Sequence, residues 1–173
     1  MSTDSLLTGG KVKHIHFVGI GGIGLSAIAR VLKEEGYLIS GSDIRQTQLT
    51  DELAALGIDV YCGHRPENIA GADLVVISSA VPENNPEVVA AHEVGITVVK
   101  RAQILNEMMV GKFGIAIAGT HGKTTTSALI AFVLTKVGLA PTFIVGGILD
   151  DMGTNARLGK GQHFVIEADE YDY

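Results

Sequence analysis

The sequence predicts an α/β fold: a doubly wound parallel sheet, then a second and shorter α/β unit. Three observations carry this. Short apolar, β-rich runs alternate with helical patterns along nearly the whole chain, the rhythm of strand–helix–strand units. The 22 glycines gather at the ends of apolar runs, where tight strand-to-helix turns need them. Apolar residues make up 46% of the 173 residues against 18% charged, which suits a packed core and not a disordered chain.

The elements follow in order. Residues 1–11 read as a flexible tail. Residues 14–20, HIHFVGI, read as a strand. A helix is predicted over 23–36, where Ile23, Ala27, Ile28, Val31 and Leu32 recur at helical spacing and Gly36 stops the run. A strand at 37–43, a helix at 47–57 and a short strand at 58–63 come next. Residues 72–80, ADLVVISSA, form a continuous apolar run of the kind buried on both faces of a parallel sheet. Asn85 and Pro86 open a helix over 85–95. A strand at 96–100 and a helix at 101–111 close the set, with a boundary between 108 and 109. The pattern then restarts with a strand at 113–119, a helix at 123–138 and a strand at 141–147. Residues 149–161 read as a polar, glycine-containing connection, and 163–170 as a strand ending in acids. So small an open sheet leaves apolar surface uncovered, and the chain is expected to be the N-terminal part of a longer protein.

Composition narrows the function. The formal net charge is −6 and there is no tryptophan, which argues against a broad basic nucleic-acid surface or a base-stacking platform. An anionic ligand must then be held by backbone amides, a metal ion or a well-placed lysine. Cys62 is the single cysteine, expected as a small buried or half-buried side chain in a reducing cytoplasm. No secretion signal opens the chain, and no apolar stretch reaches the roughly 20 residues of a membrane helix.

Two loops carry the chemistry. Gly19, Gly21 and Gly24 satisfy G-x-G-x-x-G between a strand and a helix, with Gly22 and Ile23 inside the loop. The first glycine permits a tight turn, the second lets backbone approach a diphosphate, and the third lets helix pack on strand. Asp43 ends the second strand, where a ribose-binding acid belongs. A dinucleotide or a nucleotide sugar fits this site. The second loop is Gly119-Thr120-His121-Gly122-Lys123-Thr124-Thr125. Its Lys123 can reach the β- and γ-phosphates of ATP, Thr124 offers a hydroxyl to Mg²⁺, and the amides from Gly122 to Thr125 face phosphate oxygens. Ile117 stands where the longer G-x-x-x-x-G-K-[ST] pattern has glycine, so the loop is a shortened variant. The partner carboxylate for Mg²⁺ is expected at a strand end, with Glu167 preferred over Asp169 and Glu170. His14 and His16 share a strand face and read as packing or surface residues; neither they nor His92 and His163 show metal-ligand spacing.

These loops, with HFVGIGGIGLSAIA, GYLISGSD, HRPENI, VISSAVPENNPEVVAAHE, AGTHGKTTTSALIA, NARLGKG and EADEYD, resemble the Mur ligases, the ATP-dependent amino-acid-adding enzymes of peptidoglycan synthesis. The resemblance runs from about residue 12 to the C-terminus. It implies a UDP-sugar-binding, Rossmann-like domain over 12–108 and the start of a P-loop ATPase α/β domain over 109–173, with an amino-acid-binding third domain absent. It also implies that Gly19 to Gly24 hold the UDP-sugar diphosphate and that Asp43, His64, Ser78 and Ser79 line the same cleft. Lys123 becomes the catalytic residue, and Thr124 and Glu167 the Mg²⁺ ligands. The implied substrates are UDP-N-acetylmuramate, ATP and L-alanine, joined through an acyl phosphate in the cytoplasm, with no nucleic acid and no membrane insertion. Tyr171, in EADEYD, stands where serine is more usual, a form shared with the relative that attaches a recycled tripeptide, so both acceptors remain open. An NAD-dependent oxidoreductase built on the first loop and a non-catalytic UDP-sugar-binding module are the competing readings. The fragment alone is expected to be inactive in ligation.

Overall fold

The computed structural model describes residues 6–7, 10–149 and 152–168. Its contacts divide the chain into two compact units, Met1–Met108 and Met109–Tyr173.

The first unit holds β1 (His14–Val18), α1 (Ile23–Glu35), β2 (Leu38–Asp43), α2 (Gln48–Ala55) and β3 (Asp59–Cys62). A single 3-10 turn at Pro66–Ile69, β4 (Leu74–Ile77), α3 (Pro86–Glu93), β5 (Thr97–Lys100) and α4 (Arg101–Met109) complete it. Its sheet has the order β3-β2-β1-β4-β5, and every pairing is parallel. This is the strand order of a Rossmann-like sheet, with a switch point between β1 and β4, whose next elements leave in opposite directions. β1 and β4 are buried on both faces. Ile15 and Phe17 fill one side, while Val18, Val75 and Ile77 meet Val88 and Ala91 of α3 on the other.

Local chemistry sets the helix ends. Gly36 closes α1 in the left-handed region, at φ 106°, with its N–H on the Leu32 and Lys33 carbonyls, a conformation that costs glycine little. Thr47 and Thr50 form a reciprocal capping box on α2, and the Asn85 side chain caps α3 ahead of Pro86, each satisfying amides that a helix start leaves open. Part of the stretch expected to be a loose tail is held in place. Leu7 is buried, its carbonyl accepts from Tyr37 Oη (3.2 Å), and Leu6 N–H donates to Glu107 (2.7 Å).

The second unit holds β6 (Phe113–Ile117), α5 (Lys123–Lys136), β7 (Thr142–Leu149), β8 (Thr154–Arg157) and β9 (His163–Glu167). The sheet order is β6-β9-β7-β8. β6, β9 and β7 run parallel, and β8 is antiparallel to β7. The connection expected over 149–161 therefore contains a strand. Its residues, Thr-Asn-Ala-Arg, carry little hydrophobic signal because β8 is an edge strand; Ala156 alone is buried, and Arg157 lies over the Phe143 ring at 5.9 Å. The core under α5 is built from Ala131, Phe143, Val145, Leu149 and Val165. Among the described residues no helix is long and apolar enough to cross a membrane.

Candidate functional site

The first site is built by the carboxyl ends of the first sheet. Gly19 follows β1 with φ 84°, and both Gly19 and Ile20 donate their N–H to the Ser42 carbonyl, at 2.8 and 2.9 Å. This folds the loop back over β2. A Cβ at Gly21 would lie 2.8 Å from Asp43 Oδ2, so only glycine lets its N–H donate to that carboxylate at 2.9 Å. Gly22 caps α1 without a side-chain hydrogen bond, and no acid occupies the first turn. The helix thus presents open amides to an anion. Gly24 has the Arg101 side chain where a Cβ would project, with Nε at 2.9 Å. Ile23 is exposed.

The remaining residues expected here reach the same sheet edge. Val18 pairs with Ser42 and Ile77, and Asp43 pairs with Cys62. Asp43 therefore ends β2, and His64 and Ser78 follow β3 and β4, all at the carboxyl edge of one sheet, the place where open α/β sheets bind ligands. β4 stops at Ile77, earlier than its apolar run suggests. Ser78 and Ser79 lie in the turn beyond it, closed by Val81 N–H on the Ser78 carbonyl at 3.1 Å. Cys62 is exposed, against the expectation of burial, because β3 is the sheet's edge strand and turns three of its four residues to solvent.

Beneath this edge runs a polar network that the sequence does not announce. Glu87, fully buried on α3, accepts from Ser42 Oγ (2.5 Å) and Asn68 Nδ2 (2.5 Å) and meets His64 Nδ1 at 3.0 Å. His16 Nε2 lies 3.7 Å from its other oxygen. Ser40 Oγ joins His14 Nε2 (2.7 Å) to His16 Nδ1 (2.8 Å). So His16 belongs to a hydrogen-bonded chain inside the sheet layer and is neither plain packing nor surface. Burial pushes the Glu87 carboxyl up, but the nearby His16 imidazole and hydrogen bonds from Ser42 and Asn68 outweigh it and hold the group at about 2.

The second site lies where β6 enters α5. Gly119 (φ 146°) and Gly122 (φ 76°) shape the loop, and Gly122 caps α5 with neither a side-chain hydrogen bond nor an acid in the first turn. Lys123 Nζ donates to the Gly119 carbonyl at 2.7 Å, folded over its own loop. His121 Nδ1 sits 3.2 Å from Thr120 Oγ1. The register pairs Ile117 of β6 with Glu167 of β9, which sets the carboxylate beside the loop. Thr124 Oγ1 donates to Glu167 Oε2 at 3.2 Å, and Thr125 is exposed in the first turn of α5. Asp169 and Glu170, the rival acids, lie outside the described residues, as does Tyr171.

Two residues here escaped the sequence reading. Ser127 Oγ donates to Glu167 Oε1 at 2.9 Å, and Gly146 N–H donates to the same oxygen at 2.7 Å. Ser127 was accessible in principle, since it stands one helical turn beyond Lys123. Gly146 was not, because its role depends on how β7 and β9 pair. A Cβ on Gly146 would lie 2.8 Å from Glu167 Oε2 and 3.0 Å from Thr124 Oγ1. Gly146→Ala is expected to push the acid off Thr124, destabilising the second unit by about 1–3 kcal/mol and weakening Mg·ATP binding several-fold. Urea unfolding and nucleotide titration check this; unchanged nucleotide affinity would show that the acid's placement does not matter.

Two open helix starts behind glycine loops, one of them with a lysine, a threonine and a buried acid, mark an α/β protein whose strand ends are shaped to accept anions. A family model described as "Mur ligase family, catalytic domain" matches residues 14–113, more than half of the chain, and the chain belongs to the Mur ligase family. It is 58% identical over 163 residues to UDP-N-acetylmuramate–L-alanine ligase of Geobacter sp. (strain M21), covering 94% of this chain and 35% of that protein. The enzyme of the same name from Legionella pneumophila (strain Corby) is 56% identical, with 94% and 35% covered. Among solved structures, UDP-N-acetylmuramate:L-alanyl-gamma-D-glutamyl-meso-diaminopimelate ligase from Neisseria meningitides superposes with a TM-score of 0.86 at 38% identity, over 93% of this chain and 54% of that one. UDP-N-acetylmuramate-alanine ligase from Thermotoga maritima does so with a TM-score of 0.85 at 39% identity, over 91% and 37%. The chain spans about a third of the length of these curated relatives.

Proposed function

We propose that the protein carrying this chain is an ATP-dependent ligase of peptidoglycan precursor synthesis, working in the cytoplasm and joining L-alanine to UDP-N-acetylmuramate. The observation that carries the reading is the pairing of Ile117 with Glu167, which puts a buried carboxylate against the Lys123-Thr124 loop. The relatives' shared name supports L-alanine as the acceptor, and a recycled tripeptide is the alternative that the Neisseria structure keeps in view.

In this proposal Gly19, Gly21, Gly22, Ile23 and Gly24, with Asp43, His64, Ser78 and Ser79, hold the UDP-sugar. Gly119 to Thr125 hold ATP. A lactyl carboxylate oxygen attacks the γ-phosphorus, and the bond to ADP breaks. The alanine amine then attacks the acyl carbon, loses a proton and displaces phosphate, leaving an amide. Lys123 releases Gly119 and turns its ammonium to the transferring phosphoryl group, whose growing charge it offsets. The donors suit magnesium. Thr124 and Glu167 are hard oxygen donors that would hold such an ion, and among the described residues no group of three His, Cys, Asp or Glu side chains is placed to hold a metal. When bound, that ion supplies charge neutralisation at the β- and γ-phosphates.

Calorimetric titration with UDP-N-acetylmuramate, and with NADH beside it, tests the first site. Binding of the sugar nucleotide without NADH is the expected result. NADH binding alone would replace the ligase with an oxidoreductase. Sugar-nucleotide binding with no ATP binding at the second loop would leave a non-catalytic sugar-nucleotide module.

A further inference from the structure

The buried network ends on His64, and it dictates which ring nitrogen carries a proton. Glu87 is an ionised carboxylate and only accepts. The hydrogen of Ser42 is committed to Glu87 Oε2 at 2.5 Å, so Ser42 Oγ, 2.9 Å from His64 Nδ1, also accepts. Both neighbours of Nδ1 are therefore acceptors, and Nδ1 must be the N–H. The His64 side chain is 18% exposed, and among the described residues its hydrogen bonds run through Nδ1, leaving Nε2 for a ligand. Asn68 clamps the arrangement, donating to Glu87 Oε1 and to the Gly63 carbonyl at 3.0 Å.

We propose that Glu87 is a positioning residue that fixes the His64 ring with Nδ1 protonated, so that Nε2, protonated on binding, donates a hydrogen bond to the anionic sugar nucleotide. This rests on the sugar-nucleotide reading of the first site. The chemistry is that of a buried carboxylate–imidazole pair: the carboxylate holds one N–H and offsets the cation that forms when the second nitrogen is protonated. His16 of β1 faces Glu87 from beneath, with Tyr61 of β3 stacked on it at 6.3 Å. Asp43 of β2 is occupied by the amides of Gly21 and Arg45. Arg65 and Glu67, near His64 in the chain, are exposed.

The test is calorimetric titration of the chain with UDP-N-acetylmuramate from pH 6 to 8.5, in buffers of different ionisation enthalpy. The ligand's diphosphate diester and carboxylate do not titrate in that range. The expected result is uptake of close to one proton at the upper end, with Kd weakening by up to about tenfold per pH unit. His64→Gln abolishes both effects. Glu87→Gln, which keeps the shape but not the charge, weakens binding at least several-fold and cuts the proton uptake by more than half. A wild-type Kd independent of pH, or the same uptake in Glu87→Gln, would overturn the proposal. The imidazole nitrogen spectrum of the free chain gives a reading that needs no ligand. An Nδ1–H ring in the wild type that becomes mixed in Glu87→Gln sustains the positioning role, and an Nε2–H ring in the wild type ends it. Failure of the sugar nucleotide to bind at any pH would count against the sugar-nucleotide reading and the ligand half of this proposal, while the spectrum still judges what Glu87 does.

Discussion

Replacing Lys123 by methionine is expected to lower the rate of ADP formation by about 10²–10³-fold in a ligation-competent protein carrying this chain. Methionine keeps the length and apolar stem of lysine and removes the ammonium. The loss should fall mainly on kcat, because charge on the transferring phosphoryl group is greatest in the transition state. In the free protein Nζ donates to the Gly119 carbonyl at 2.7 Å, a hydrogen bond that methionine cannot make. That lysine is only half-buried, so unfolding in urea should shift by no more than about 1 kcal/mol. Lys123→Arg should rescue poorly, since a planar guanidinium does not retrace the path of a compact ammonium. A rate within threefold of wild type in Lys123→Met would remove this lysine from the chemistry.

The parts that were legible in the sequence are those whose signal is local. Glycine loops announce themselves because a positive φ or a close backbone approach excludes other residues, as at Gly19 and Gly122. The Rossmann-like sheet was legible because β1 and β4 are buried on both faces and read as unbroken apolar runs. β8 was not, since an edge strand that buries one alanine looks like a loop. The network under the first site was hidden for a different reason. Ser40, Ser42 and His16 sit in strands whose alternation passes for ordinary burial, and Glu87 hides in a helix start after a proline, where an acid commonly serves the helix dipole. Only the parallel register of β1 and β2, with α3 above them, brings these groups together. Gly146 shows the same limit in the second unit, because the atom that forbids a side chain there belongs to Glu167 of another strand.

The buried carboxylate of Glu87 should dominate the acid stability of the first unit. Its folded value of about 2 lies below the ordinary 4.5. A depressed carboxyl contributes stability that is fully present above the unfolded value and is lost as pH falls through the folded one. The window is therefore pH 4.5 down to about 2, and the contribution within it is about 3 kcal/mol. Asp73, whose carboxyl is also lowered by the backbone N–H groups of His14 and Lys13, acts in the same direction, so the acid limb of the wild type alone does not isolate Glu87. The difference between wild type and Glu87→Gln does, because Asp73 cancels in it. Urea unfolding is expected to show the variant about 3 kcal/mol less stable at pH 7, with the gap closing as pH drops below 4.5. The direction is what discriminates. If the glutamate were held only as a shape, its amide would substitute at every pH and the two curves would run parallel. Convergence at low pH would show that the charge itself, accepting from Ser42, Asn68 and His64, holds α3 to the sheet.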